Sequence, residues 1–482
     1  MNVSPSTPGT AQLRHGTLGV AMIVFFVISA ASPLSVLAGG FPIGIMLGNG
    51  AGTPALLLAA LGVLLCFAVG YTRLARHVAH AGGFYAFISR GLGGVWGGAA
   101  GMLAMVAYNI LQVGIYGMFG AVVAGNFDAL LGLQVPWWAC SLAALVVVAC
   151  LGYRNIDLSA RLLSVMVVAE YLVILLLDAA ILVSGGAHGV DFSAFTPTQV
   201  SSGNPAIGLL FCFAAFIGFE ASTLYAEEAK NPQRTIPLAT FIAVLLVGGF
   251  YTFSVWAMIV GSGADGIVER LQAMPDPITF LYGLSDQYVG TWLTQSIRLL
   301  FVVSLLAGLL AFHNAAARYF FATGRDGLLS PRLGRTHPRH QSPHLGSLLQ
   351  STIAAVLLLG FALAGADPVL QVFAWLSNLA TLSLILLMVL TCLAVISYFR
   401  SHPEHLDSRL CCLVLPALSG LALFVIFLMA LVHFDVLTGA STLISVALWS
   451  VVPLAALIGA LLALRLRSTA PQRFDLLGSS PA

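Results

Sequence analysis

Charge is the scarcest property of this chain. Of its 482 residues only 8% are Asp, Glu, Lys or Arg, against 59% hydrophobic, and there is a single lysine, Lys230. Twenty basic and 18 acidic residues leave a net charge of +2, which gives no basic surface of the kind nucleic acid requires. A lone lysine followed by Asn231 also rules out the GxxxxGK[ST] loop, so ATP is not the energy source on this chain. The seven cysteines have neither metal nor disulfide spacing: Cys66, Cys140, Cys150, Cys212 and Cys392 lie in apolar runs, and Cys411 and Cys412 precede one. Buried or lipid-facing thiols are expected. No HExxH or nucleophile motif occurs, and His337, His340, His344, His402 and His405 sit in loops without a metal-site pattern, so solvated histidines, no metal and no cofactor are expected. Short alternating segments are missing too, which excludes a membrane β-barrel.

Long apolar runs are what the chain has in abundance. A mean hydropathy of +0.98 lies far outside the range of soluble domains, and a helix of about 20 residues spans a hydrocarbon core of about 30 Å. The runs predict an all-α polytopic membrane protein with twelve transmembrane helices, at 17–48, 53–73, 92–125, 137–153, 159–184, 205–228, 236–261, 290–322, 345–364, 368–398, 413–433 and 440–465. The polar segment 1–16 is followed by no cleavage site, so the first run is expected to be retained as a helix. With the N-terminus inside, eighteen of the twenty Lys and Arg fall on one face, including Arg14, Arg73, Arg161, Arg325 and Arg339, and only Arg270 and Arg298 fall opposite. Basic residues accumulate on the cytoplasmic side, so both the 1–16 tail and the 466–482 tail are expected there, in a cytoplasmic (inner) membrane.

Two runs are interrupted near their midpoints. In the first the interruption is Ser29-Ala30-Ala31-Ser32-Pro33; in the sixth it is Ile217-Gly218-Phe219-Glu220. Proline removes a backbone donor, glycine relaxes the dihedral constraint, and broken backbone at membrane depth survives only where it lines a cavity or is covered by protein. If the two correspond, the chain divides into five-helix halves, 17–184 and 205–398, with 413–465 appended. An odd number of helices per half makes the repeat inverted, and paired interruptions of this kind point to a transporter's midplane site. Gly93, Gly94, Gly97, Gly98 and Gly101 open the third run as a small-residue stripe, read as helix packing.

Gly218-Phe219-Glu220 followed by Ala226-Glu227-Glu228-Ala229-Lys230-Asn231-Pro232-Gln233-Arg234-Thr235-Ile236-Pro237 resembles the sixth-helix signature of amino acid-polyamine-organocation (APC) permeases. Ala81 to Phe87 (AGGFYAF), and Arg318 with Gly324 to Pro331 (GRDGLLSP), agree with it. The resemblance covers 17 to about 465 and implies a LeuT-type five-plus-five fold with discontinuous helices 1 and 6. It also implies secondary active transport of an amino acid or related amine by alternating access. In that family the substrate carboxylate meets free amides at the first break and its amino group meets free carbonyls of helices 1 and 6. The resemblance thus nominates Ala30, Ala31, Ser32, Pro33, Ile217 and Gly218, with Tyr108 and Phe312 where pocket side chains occur in relatives. Relatives usually carry a Gly-Ser-Gly type break where this chain has Ala30-Ala31-Ser32-Pro33, so one amide fewer is on offer. They often place a gating aromatic at the position of Ala214, leaving flanking Phe213 and Phe216 as substitutes or as packing. Trp375 and Asn378 join the candidates on aromatic character and polarity.

A carboxylate inside an apolar run is costly unless it serves a purpose. Glu220 is either a structural acceptor for unwound backbone or a proton-sensing group beside the substrate. Glu170 falls near the place where some sodium-independent relatives put a lysine. It is a protonatable switch, an attractor for a cation such as sodium, or a partner of a polar group such as His313. Asp178 is expected to play an outward polar role. The leading reading is a non-enzymatic, proton-coupled amino acid permease in the lipid bilayer; a polyamine or other organic-amine permease or exchanger, and a non-transporting sensor on the same scaffold, are its competitors. A membrane-embedded enzyme would rest on Glu170 with His313 alone, a pair on separate helices that matches no motif.

Overall fold

The computed structural model describes residues 16–78, 80–154, 156–338, 340 and 342–479. Most of the N-terminal tail with Arg14, the loop residue Arg339, and 480–482 of the other tail lie outside the described residues. Eleven helices among them are long and apolar enough to cross a membrane: α1 Val20–Leu47, α2 Gly50–Ala75, α3 Gly94–Leu131, α5 Ser164–Ser184, α6 Pro205–Glu228, α7 Pro232–Ser262, α8 Thr291–Arg325, α9 His344–Leu363, α10 Pro368–Ser401, α11 Leu410–Val432 and α12 Thr442–Thr469. Between α3 and α5 stands a shorter apolar helix, α4, at Trp137–Tyr153. At 1.5 Å per residue its length is about 26 Å, slightly under a hydrocarbon core of about 30 Å. No β-strand occurs among the described residues, and the one isolated bridge pairs Leu18 with Ala229.

An all-helical build follows from the solvent. In lipid every backbone N–H and C=O has to be satisfied within the segment, which a helix does unaided. Short pieces lie outside the spans: Phe84–Leu92 between α2 and α3, Ile267–Gln272 and Phe280–Tyr288 between α7 and α8, and Pro471–Asp475 after α12. The loop histidines do not stand free in solvent. His77 stacks on His405 with ring centroids 4.2 Å apart, and His337 packs edge-on against Tyr153.

α3 runs through the middle and packs on α8, α10 and α12, while α11 and α12 turn most of their surface outward. The glycine stripe is spent inside the chain: a Cβ on Gly98 would lie 2.6 Å from the Ala463 Cβ of α12, and one on Gly94 would lie 2.8 Å from the ring of Phe474. Small residues at these positions let two backbones meet where hydrophobicity gives helices no reason to associate. Cys140, Cys212, Cys392 and Cys412 are buried and all seven thiols are free.

The interruptions in α1 and α6 are real breaks, and they face each other. Ser32 adopts φ 45° and ψ 75°, the one non-glycine residue with positive φ among those described. Gly218 has φ 113°, and a Cβ there would sit 2.7 Å from the Cβ of Ala30. Glycine is needed at 218 twice over, for its dihedral and for the close approach.

Candidate functional site

At the first break the helix Val20–Ala31 ends and Pro33 cannot donate to the carbonyl of Ser29. Ser32 takes over locally: its N–H donates to Ile28 O at 3.0 Å and its hydroxyl to Ser29 O at 2.9 Å. Beyond the break the chain re-forms as a wide turn, Ser35–Gly40, and then an α-helix, Phe41–Leu47. The amides that open this second half are already engaged. Leu34 N–H donates to Glu170 Oε2 at 3.3 Å, Ser35 N–H to Ser304 Oγ at 3.4 Å, and Ser304 Oγ donates to Glu170 Oε2 at 2.6 Å. On the other side of the break, Tyr251 of α7 donates its hydroxyl to Ala31 O at 2.8 Å.

Glu170 is fully buried on α5, and its second oxygen, Oε1, has no partner among the described residues. It does not pair with His313, whose Nε2 lies 2.7 Å from Ser347 Oγ. Asp178, expected to face outward, is instead buried and accepts the hydroxyl of Ser254 at 2.6 Å.

In α6 the helix Pro205–Ala215 ends three residues before Gly218, and the chain resumes after it as the tighter turn Phe219–Glu228. Glu220 folds back over the break. Its Oε2 accepts Gly218 N–H at 2.9 Å, its Oε1 accepts the Tyr108 hydroxyl of α3 at 2.5 Å, and its backbone carbonyl accepts Tyr71 OH at 2.9 Å. Tyr108 is held in turn by a ring stacked on Tyr319, 5.3 Å between centroids. Both buried acids therefore serve unwound backbone.

Between the breaks lies a cavity of about 80 Å³, walled by α1, α3, α6, α8 and α10. Of the residues nominated from sequence, Ala30, Ala31, Ser32, Ile217, Phe312 and Asn378 line it. Pro33 and Gly218 shape the breaks without reaching the lining, and Tyr108 stands behind it on Glu220. Phe213 and Phe216 lie across Ile217 and Thr381, around a void of about 10 Å³ that also touches Glu220. Ala214 itself faces the main cavity. Trp375 is outside the lining, its indole N–H donating to Thr438 O at 2.6 Å. Sequence reasoning missed Ser35, Phe41, Leu111, Ile115, Phe211, Phe373, Ser377 and Thr381, which also line it. Ser377 and Thr381 were within reach: each is one turn or less from Asn378 along a helix whose other polar residues are few.

The three signature stretches meet on the face of the bundle that carries Gly16 and Ser479. Arg325 of the GRDG stretch makes a two-pronged ion pair with Glu227, at 3.0 and 2.8 Å, and Glu227 also accepts Ala81 N–H at 2.8 Å. Arg318, fully buried, pairs with Glu228 and lies 4.4 Å over the ring of Tyr225. Asp326 accepts the Tyr85 hydroxyl at 2.8 Å and Gly478 N–H at 3.0 Å, with His80 at 3.3 Å. Burial works against the charged form of Asp326, but His80, Tyr85 and the Gly478 amide together hold its carboxyl below the usual range. These ion pairs lie apart from the cavity, and among the described residues no charged side chain lines it.

A bundle of apolar helices with two opposed breaks around a cavity, and with buried ion pairs gathered on one face, defines an integral, multi-pass membrane protein of the permease class. Residues 16–464 match the family described as amino acid permease, and the chain belongs to that family. It is 28% identical to the branched-chain amino acid permease BcaP of Bacillus subtilis (strain 168), over 78% of this chain and 79% of the relative. With the low-affinity putrescine importer PlaP of Escherichia coli (strain K12) it shares 24% identity, over 77% of this chain and 80% of the importer. A vacuolar cationic amino acid transporter of Arabidopsis thaliana is 34% identical over a shorter stretch, 31% of this chain and 24% of that protein. These relatives are carriers, in accord with a chain that is not an enzyme.

Proposed function

We propose that the chain is a secondary active transporter that carries an amino acid by alternating access, coupled to protons through Glu170, in a cytoplasmic membrane with both termini inside. The observation that carries this reading is the cavity at the paired breaks, open to a small molecule and without a charged lining side chain. A molecule without net charge suits it, because among the described residues no charged side chain lines the cavity to balance one. A doubly charged amine would ask for an acid facing the cavity, and Glu170 and Glu220 are both engaged with backbone instead. In this reading the two breaks belong to corresponding helices of a five-plus-five inverted repeat, 17–184 and 205–398, with 413–465 appended and α4 as the twelfth span. The ion pairs among Glu227, Glu228, Arg318 and Arg325 form the closed cytoplasmic gate.

Uptake by proteoliposomes under an imposed proton or sodium gradient tests the proposal. Accumulation of a neutral amino acid under the proton gradient is expected; accumulation of putrescine in preference would favour the amine reading that the importer relative suggests. Binding without counterflow would identify a sensor. Glu170 has one oxygen on Leu34 N–H and Ser304 and one oxygen unpartnered, so Glu170→Gln is expected to alter the pH dependence of uptake more than the apparent KM. Unchanged pH and sodium profiles in a well-folded variant would reduce Glu170 to a structural acceptor.

A further inference from the structure

A second cavity, of about 320 Å³, lies where the end of α2, the start of α7 and the connection from α10 to α11 come together. Arg73, Arg76, His77, Gln233, Glu404 and Asp407 line it, and each stands within one turn of the end of a membrane-spanning helix. Apolar spans end where the lipid headgroups begin. The wall carries charge of both signs. Arg73 is taken up by Asp407 in an ion pair. Arg76 and Glu404 are both exposed and enter no ion pair among the described residues, which leaves one free charge of each sign on the same wall. A ligand with a single charge would leave one of the two unanswered, whereas a zwitterion answers both.

The surface that leads to this cavity is apolar and faces outward. Along α2, Gly62, Cys66, Val69, Arg73 and Arg76 recur every three or four residues and so share one face of the helix. Gly62 is exposed, with open space where a Cβ would stand, and Cys66 and Val69 are partly exposed. α7 and α11 both pack on α2, and both turn apolar side chains outward, Leu238, Ile242 and Leu245 on one and Leu410, Val414 and Leu418 on the other. A lipid-facing stripe therefore runs along α2 and ends in Arg73 and Arg76 at the charged cavity.

We propose that this cavity binds the headgroup of a zwitterionic phospholipid with a primary ammonium, phosphatidylethanolamine. The lipid phosphate lies on Arg76 and Gln233, the ammonium on Glu404, and the acyl chains along the outward stripe of α2 beside α7 and α11. A guanidinium forks onto phosphate oxygens, and a primary ammonium makes charge-assisted hydrogen bonds to a carboxylate, so each end of the headgroup meets the group suited to it. The site shares no lining residue with the cavity between the breaks, and its occupancy does not depend on which substrate is carried.

In the test, full-length protein in detergent is offered phosphatidylethanolamine, phosphatidylcholine and phosphatidylglycerol with identical acyl chains. Lipid retained per protein is read by native mass spectrometry, and thermal unfolding checks the fold of each variant. Phosphatidylcholine keeps both charges but has no ammonium N–H; phosphatidylglycerol keeps the phosphate without the cation. Wild-type protein is expected to retain phosphatidylethanolamine roughly three- to ten-fold above either, with a raised unfolding midpoint. Glu404→Gln is expected to bring phosphatidylethanolamine down to the level of phosphatidylcholine and to leave the other two lipids within about two-fold. Arg76→Gln is expected to weaken all three by roughly three- to ten-fold, since each carries the phosphate. Equal retention of the three lipids by wild type would make the contact nonspecific, and a preference for phosphatidylglycerol would leave the cationic side acting alone. A preference for phosphatidylethanolamine that survives Glu404→Gln would put the ammonium elsewhere, and displacement of the bound lipid by L-leucine would mark the cavity as a place for a free amino acid. Each of these four results overturns the proposal.

Discussion

One stretch of α6 carries acids into two different settings, and the contrast between them separates two jobs. Glu220, at the break in α6, is met by neutral donors only, Gly218 N–H and the Tyr108 hydroxyl. Seven and eight residues on, Glu227 and Glu228 are met by Arg325 and Arg318. Neutral hydrogen bonds fix the course of a broken backbone and leave no stranded charge if a proton arrives. An ion pair behaves otherwise: parting it without a replacement leaves a poorly solvated charge, so in the proposed transport cycle two such pairs would part only when both sides are re-solvated. Glu170 belongs with Glu220 in this comparison, since its partners are an amide and a hydroxyl.

The largest effect is expected at the buried ion pair of Arg318 with Glu228. Arg318→Gln leaves Glu228 without its cation in a buried site, and a loss of about 3–5 kcal/mol is expected, read as a lowered unfolding midpoint in detergent. Glu228→Gln combined with Arg318→Gln should recover part of it, because no lone charge remains. Next comes the break itself. Gly218→Ala adds a left-handed strain of about 1–2 kcal/mol to an overpacking cost of about 1–3 kcal/mol against Ala30, and uptake should fall with stability. A fully active Gly218→Ala protein would show that the two breaks need not touch.

Asp326 lies between these extremes, held by His80, Tyr85 and Gly478. Asp326→Asn is expected to cost about 1–3 kcal/mol near neutral pH. Because the folded carboxyl is held below its ordinary value of about 3.9, its contribution is fully present above that value and is lost as pH falls through the lowered one. The stability gap between wild type and variant should therefore narrow only in strongly acidic buffer. The smallest effect is expected of Glu220→Gln, about 0.5–1.5 kcal/mol, since a neutral amide can keep the bond from Tyr108. A loss as large as that of Arg318→Gln would break the comparison and mark Glu220 as a charged group with a charged task.

Much of the fold was legible because single residues dictate it. Each apolar run had to be a helix in lipid, and Pro33 and Gly218 had to disturb theirs. Their consequences appear at Ser32 and Gly218 with positive φ. Phe312, nominated by the family resemblance, and Asn378, nominated by its polarity, both line the cavity. Trp375 does not line it, and its indole N–H donates to Thr438 O instead. The competition at the first break was also invisible: nothing in the order of residues shows that Glu170, 136 positions away from Leu34, takes the amide.

The sequence by itself determined that this is a helical membrane permease with interrupted first and sixth helices, because burying a backbone in hydrocarbon is a cost met within each segment. Only the tertiary structure decided which acids meet arginines and which amides are spent. Those outcomes depend on the rotation and depth of one helix against another, set by the close approaches of Gly98 to α12 and Gly218 to Ala30, and no local stretch of sequence contains them.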